Sequence, residues 1–91
     1  MEQDLKITII NAQKIAKKET GEVMTKVDYM TWLEQTDKFY GYSVLTAWVD
    51  ESAFEKCKQF LAKEVIAKIG VRKGKNGSLS AYIKKINNIE L

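Results

Sequence analysis

The sequence predicts a mainly β protein, a five-stranded barrel with one α-helix between strands 3 and 4. Three observations support this prediction. Apolar and polar residues alternate in five separate segments, which is typical of half-buried strands. A single segment, between the third and fourth of these, repeats its apolar residues at helical spacing. Asn76-Gly77, a strong hairpin signal, separates the last two strands.

Three strands are predicted in the N-terminal half. Residues 5–9 alternate and are rich in β-branched side chains, and this strand could continue through residues 13–18 with a bulge. A turn at Gly21 leads into a second strand at residues 23–33, and a third follows at residues 42–49. Apolar residues occur on both faces of the second strand, so alternation alone leaves open which face is buried.

The apolar period changes after the third strand. Apolar residues at positions 53/54, 57 and 60/61 predict a helix from about residue 51 to residue 62. Ser52 and Glu55 have the spacing of a capping box at its start. Cys57 lies on the apolar stripe together with Phe54 and Phe60, so we expect these three side chains in the core.

Strand periodicity returns in the C-terminal third. Strands are predicted at residues 65–72 and 79–86, and residues 89–91 could add a short final pairing. Five strands with one helix between the third and fourth is the layout of an OB-fold. At 91 residues, the chain is expected to form one domain spanning residues 1–91.

Composition excludes several function classes. The chain has no His and one Cys, which excludes histidine catalysis, a Ser-His-Asp triad, a zinc site and an intramolecular disulfide. We therefore expect no enzyme activity, no metal and no cofactor. The sequence lacks an apolar stretch of about 18 residues and a basic leader, so a cytoplasmic protein without a membrane partner is expected.

Charge and aromatic residues point to a phosphate-bearing partner. The net charge is +3, and basic residues concentrate towards both ends of the chain. Single-stranded nucleic acid is held by aromatic faces beneath its bases and by cations along its phosphates. The candidate nucleic-acid-binding residues share these two properties and are Lys14, Lys17, Lys18, Lys26, Trp32, Phe39, Tyr40, Tyr42, Trp48, Arg72, Lys73, Lys75, Tyr82 and Lys84.

Aromatic side chains in a small barrel can also belong to the core. Tyr42 and Trp48 share strand parity, so either both stack on a ligand or both fill the barrel. Trp32 shares its face with Lys26 and Asp28, which favours exposure. Both alternatives remain open for Tyr42 and Trp48 at this point.

Local strings along the chain add a resemblance to a known family. A Lys-rich hairpin around Thr20-Gly21 follows the opening strand, an aromatic loop leads into residues 42–45, and a glycine hairpin spans residues 73–79. In these features the chain resembles the small single-stranded-DNA-binding proteins of filamentous phages and mobile elements. The resemblance implies hairpin Tyr and Phe rings that stack on bases, Lys and Arg side chains that neutralise phosphates, and symmetric dimers.

Two functions are therefore expected from different classes. The first is sequence-tolerant binding of single-stranded DNA, or RNA, by a homodimer or higher homo-oligomer that coats a replicating or transferring strand. The second is a protein–protein interaction module on the same barrel, with the loop at Phe39 and Tyr40 as a partner contact.

Overall fold

The described part of the chain contains six strands and one short helical segment. The computed structural model describes residues 2–32, 36–38, 40–74 and 77–91. In chain order, the elements are β1 (Glu2–Ala16), β2 (Val23–Trp32), β3 (Tyr42–Asp50), a 3₁₀ turn (Glu51–Ala53), α1 (Phe54–Gln59), β4 (Glu64–Lys73), β5 (Leu79–Ile86) and β6 (Ile89–Glu90).

The first five strands close into a barrel. Antiparallel pairs follow the order β3-β2-β1-β4-β5, and a parallel pairing of β3 with β5 joins the two ends. The short strand β6 pairs with β5 outside this ring. The prediction of a mainly β, OB-like barrel with a helix between strands 3 and 4 is confirmed.

Strand β1 is long enough to pair on both sides. Residues 2–8 pair with β4, and residues 7–16 pair with β2. The register shifts at a bulge between Ile9 and Asn11, and β1 continues past it to Ala16, whereas the sequence allowed a bulged continuation as far as residue 18. A bulge increases local twist and bends its strand, which helps β1 to pass from one side of the barrel to the other.

The structure decides which face of β2 is buried. Alternate residues from Thr25 to Thr31 point into the barrel beside the core residues of β1, β3 and β4. The two buried hydroxyls have partners, because Thr25 donates to the Asp50 carbonyl at 3.1 Å and Thr31 donates to the Lys6 carbonyl at 3.1 Å. These bonds offset the desolvation of two polar groups inside an apolar barrel.

The helical segment is shorter than the sequence predicted. It ends at Gln59, whereas the periodicity extended to about residue 62. The Ala62 amide donates to the Ile9 carbonyl at 2.7 Å, and Leu61 forms a parallel bridge with Ile9. This contact with β1 draws the chain out of helical conformation, and Ala62 adopts a left-handed φ of 62°.

The predicted capping box at Ser52 is wrong. Ser52 lies within the 3₁₀ turn, whereas a cap residue needs non-helical backbone. Asp50 occupies the cap position, with φ −62° and ψ 155°, and its side chain makes no capping bond. The predicted core positions on this segment are confirmed for Cys57, which is fully buried, and for Phe60, which packs against the core. Phe54 is half-buried.

Within the described part of the chain, no helix has the length and apolar character needed to cross a membrane.

Removing the Ile9 side chain is expected to destabilise the barrel strongly. Ile9 is fully buried at the point where β1 meets both β2 and the end of the helical segment. We expect Ile9→Ala to lower the free energy of unfolding by about 2–5 kcal/mol, measured by urea denaturation. Ile66→Ala, at an exposed position of β4, should change it by about 0.5 kcal/mol or less. Equal losses in the two variants would contradict this placement of the core.

The Cys57 thiol is expected to be unreactive in the folded protein. Burial raises its pKa to about 11, so the nucleophilic thiolate is scarce at neutral pH. A colorimetric thiol reagent should therefore modify native protein slowly and urea-unfolded protein rapidly. Rapid modification under native conditions would show that Cys57 is accessible.

Candidate functional site

The outer face of β2 and β3 carries most of the predicted aromatic residues. Inward-pointing residues of both strands form the core, so the alternate residues must point outward. The outward cross-strand pairs, taken along the two strands, are Trp32 with Tyr42, Met30 with Val44, Asp28 with Thr46, and Lys26 with Trp48. For Tyr42 and Trp48, the structure therefore excludes filling of the barrel, and the favoured exposure of Trp32 is confirmed.

Three rings meet at one end of this face. The Trp32 ring lies 5.1 Å from the Tyr42 ring and 5.9 Å from the Tyr40 ring, centroid to centroid, and both contacts are edge-to-face. Trp32 is 51% exposed, Tyr42 53% and Tyr40 83%. We call these three residues the aromatic cluster. Mutual edge contacts orient the rings while leaving at least half of each side chain open to a ligand.

A groove lies at the other end of the face, where β3 meets β5. It has a volume of about 580 Å³, and its lining includes Trp48, Arg72, Tyr82 and Lys84. The parallel register places Tyr82 directly beside Trp48. Tyr82 also lies across Gly70, because a Cβ at Gly70 would be 2.6 Å from Cζ of its ring. Glycine at this position lets the ring lie against the backbone of β4.

Charged groups contact Tyr82 both at its hydroxyl and over its ring. Its hydroxyl donates to Oε2 of Glu2 at 2.9 Å, and the Arg72 guanidinium carbon lies 4.3 Å from the ring centroid. Nζ of Lys84 lies 3.8 Å from Oε1 of Glu2. The hydrogen bond from Tyr82 lowers the pKa of Glu2, with a smaller contribution from Lys84, and the same bond raises the pKa of Tyr82. An aromatic face and two cations are thus positioned around one groove.

A carboxylate lies between the aromatic cluster and the groove. Asp28 is half-buried on the outer face of β2, and its cross-strand partner Thr46 donates to Oδ1 at 2.8 Å. The Asn11 amide, on β1, donates to Oδ2 at 3.5 Å. The sequence showed Asp28 on the face of Trp32 but did not identify it as a site residue, because these two partners are far away in the chain.

Lys14 lies apart from the other predicted cations. After the bulge in β1, the even-numbered residues lie on the inward side of the strand. Lys14 accordingly pairs with Thr25, which is buried. Its Nζ lies 5.1 Å from the centroid of the Phe54 ring. Lys14 therefore packs over the helical segment and does not reach the outer face of β2 and β3.

The remaining predicted residues divide into three groups. Lys26 lies on the outer face beside Trp48, next to the groove. Lys17 and Lys18 are exposed in the turn between β1 and β2, and Lys73 is exposed at the end of β4. Phe39 and Lys75 lie outside the described residues. The structure thus places Lys26, Arg72 and Lys84 next to the aromatic residues.

Comparisons with known proteins add no further site residues. The chain matches no protein-family model, no curated protein and no solved structure. Among the residues that the structure describes, no group of three or more His, Cys, Asp or Glu side chains is placed to bind a metal ion. The functional argument therefore depends on the aromatic cluster, the groove and Asp28.

Replacing Glu2 is expected to shift the titration of Tyr82. Glu2→Gln removes the carboxylate whose hydrogen bond and negative charge raise the pKa of the phenol. The pKa of Tyr82 should therefore fall towards its ordinary value, while the nearby Arg72 charge acts in the same downward direction. Titration followed by NMR of tyrosine labelled at Cζ measures this shift. Glu64 forms an ion pair with Lys6 elsewhere, so Glu64→Gln is the control and should leave the pKa of Tyr82 unchanged. Equal pKa values of Tyr82 in the two variants would contradict the hydrogen bond between Tyr82 and Glu2.

Proposed function

We propose that this chain binds single-stranded DNA in a sequence-tolerant manner along the outer face of β3. The observation that carries the proposal is the row of exposed and half-buried rings on an OB-like barrel. Trp32, Tyr40 and Tyr42 form one end of the row, and Trp48 and Tyr82 form the other. Stacking on aromatic rings accepts any base, because every base has a π face.

The spacing of the rings suits several consecutive nucleotides. Tyr42 and Trp48 are six residues apart on β3, which corresponds to about 20 Å of extended strand. Several bases can lie between the two ends, within the range of about 4–16 nucleotides that one OB-fold accommodates. The aromatic cluster and the groove would then hold the two ends of one bound segment.

Phosphate contacts come from a small number of cations. Lys26 and Arg72 lie beside the rings, and Lys84 lies close to Glu2. Asp50 and Glu2 also line the groove, so positive and negative charges nearly balance there. Stacking therefore contributes more than charge to the proposed affinity, in keeping with the modest net charge of +3.

The resemblance to phage and mobile-element proteins extends this proposal to assembly. In that family, small barrels dimerise and coat a single strand during replication or transfer. We include a homodimer, or a higher homo-oligomer, and a coat function in the proposal on this basis.

A protein-interaction module is the second candidate. Val44 is an exposed apolar residue on the same face, next to the aromatic cluster, and such a combination is also typical of a partner surface. Affinity for nucleic acid distinguishes the two candidates, because an interaction module has no need of stacked bases or phosphates.

Oligonucleotide titration tests the first candidate directly. We expect thymidine oligonucleotides of about 12 nucleotides to quench tryptophan fluorescence, whereas a DNA duplex of equal length should not. Trp32→Ala and Trp48→Ala should each weaken binding about tenfold, since stacking contributes about 1–3 kcal/mol per base. Ile66→Ala, at an exposed position on β4, serves as the matched control and should bind as wild type does.

The salt dependence of binding distinguishes the contribution of base stacking from the contribution of phosphate contacts. With two or three phosphates neutralised, the slope of log affinity against log salt should lie between about −1.4 and about −2.1, which is shallow for a nucleic-acid-binding protein. Binding of uridine oligonucleotides in parallel measures the preference for DNA over RNA. Absence of both quenching and a gel shift would refute the proposal and favour the interaction module.

A further inference from the structure

Asp28 places a negative charge in the middle of the face proposed to bind a polyanion. It lies two residues from Lys26 on β2, between the aromatic cluster and the groove. A phosphate at this position would be repelled, so the partner of Asp28 must be a hydrogen-bond donor on the ligand. In single-stranded DNA, such donors belong to the bases.

The Asp28 carboxylate is oriented by the protein before any ligand arrives. Oδ1 accepts a bond from Thr46 at 2.8 Å, and Oδ2 accepts a long bond from Asn11 at 3.5 Å. A carboxylate has about four acceptor positions, two on each oxygen. Each oxygen therefore retains one acceptor position for a ligand.

We propose that Asp28 recognises guanine and adds one position of base preference to the strand binding proposed above, on which this inference rests. Guanine carries two adjacent donors on its Watson–Crick edge, N1–H and the N2 amino group, which match the two oxygens of a carboxylate. Bidentate pairs of this kind provide geometric specificity as well as affinity.

The other bases present an acceptor where guanine presents a donor. Adenine and cytosine each have one amino group beside an unprotonated ring nitrogen, and thymine has one N–H between two carbonyl oxygens. A carboxylate repels those acceptors, so each alternative base gains at most one hydrogen bond while placing an electron pair against Asp28. The chemistry of the site therefore favours guanine over all three.

Neighbouring residues supply the remaining contacts for such a base. Trp48 is the cross-strand partner of Lys26, and it lies one outward step from Thr46, about 6.7 Å along β3. A purine stacked on Trp48 can extend its Watson–Crick edge across this distance to Asp28. Lys26 lies on the same row as Trp48, where it can neutralise the phosphate of that nucleotide.

Inosine provides a test, because it is guanosine without the N2 amino group. Two oligonucleotides of about 12 nucleotides are compared, one alternating thymine with guanine and the other alternating thymine with inosine. Wild-type protein should bind the guanine oligonucleotide about tenfold more tightly, as expected for loss of one hydrogen bond to a charged acceptor. In Asp28→Asn, this ratio should fall to about twofold or less.

Asp50→Asn is the matched control. Asp50 is also an outward, exposed residue of the same face, and its side chain makes no capping bond. Both variants remove one negative charge, so both should bind the thymidine and inosine oligonucleotides somewhat more tightly. Only Asp28→Asn should lose the preference for guanine over inosine, while Asp50→Asn should keep the wild-type ratio.

The possible results separate this inference from the proposed function. Binding of the thymidine oligonucleotide without a preference for guanine over inosine overturns the role of Asp28 and leaves strand binding intact. A preference that survives in Asp28→Asn also overturns it. If no oligonucleotide binds the wild-type protein, the proposed function fails and the recognition of guanine fails with it.

Discussion

The parallel contact between β3 and β5 is the constraint on which the rest of the structure depends. Two register pairs form it, Ala47 with Ala81 and Trp48 with Tyr82. Ala47 is fully buried, and its small side chain allows the two strands to approach inside the barrel. Closure pairs part of the backbone that an open sheet would leave unpaired at its edges. The same contact places Trp48 and Tyr82 side by side on the outside.

The chemistry of the outer face is a consequence of closure. Because the inward residues of β2 and β3 fill the barrel, the aromatic cluster has no core to enter and its rings pack on one another. At the far end, the Tyr82 ring lies between Arg72 and Glu2, so the groove carries aromatic surface with nearly balanced charge. A surface of this kind favours ligands that combine flat bases with few phosphates over ligands bound by charge alone.

Sequence periodicity predicted the positions of the strands better than it predicted where the helix ends or which side chains meet. Strand positions follow from alternation, a local property, and the bulged continuation of the first strand was also predictable. The helix was predicted too long, because its end depends on the bond from Ala62 to Ile9, a residue far away in the chain. The sequence also did not indicate that Lys14 lies over the Phe54 ring, because this contact depends on the bulge in β1. Local patterns contain no information about such distant partners.

The sequence by itself determined the order of strands and helix and the residue types available for stacking. Only the tertiary structure decided which face of β2 became the core, since both faces carry apolar residues and burial depends on what packs opposite. It also decided the contact of Tyr82 with Glu2, across 80 positions of the chain, and the setting of Asp28 between Thr46 and Asn11. Alternation sets which residues share a face, whereas barrel closure sets which faces meet.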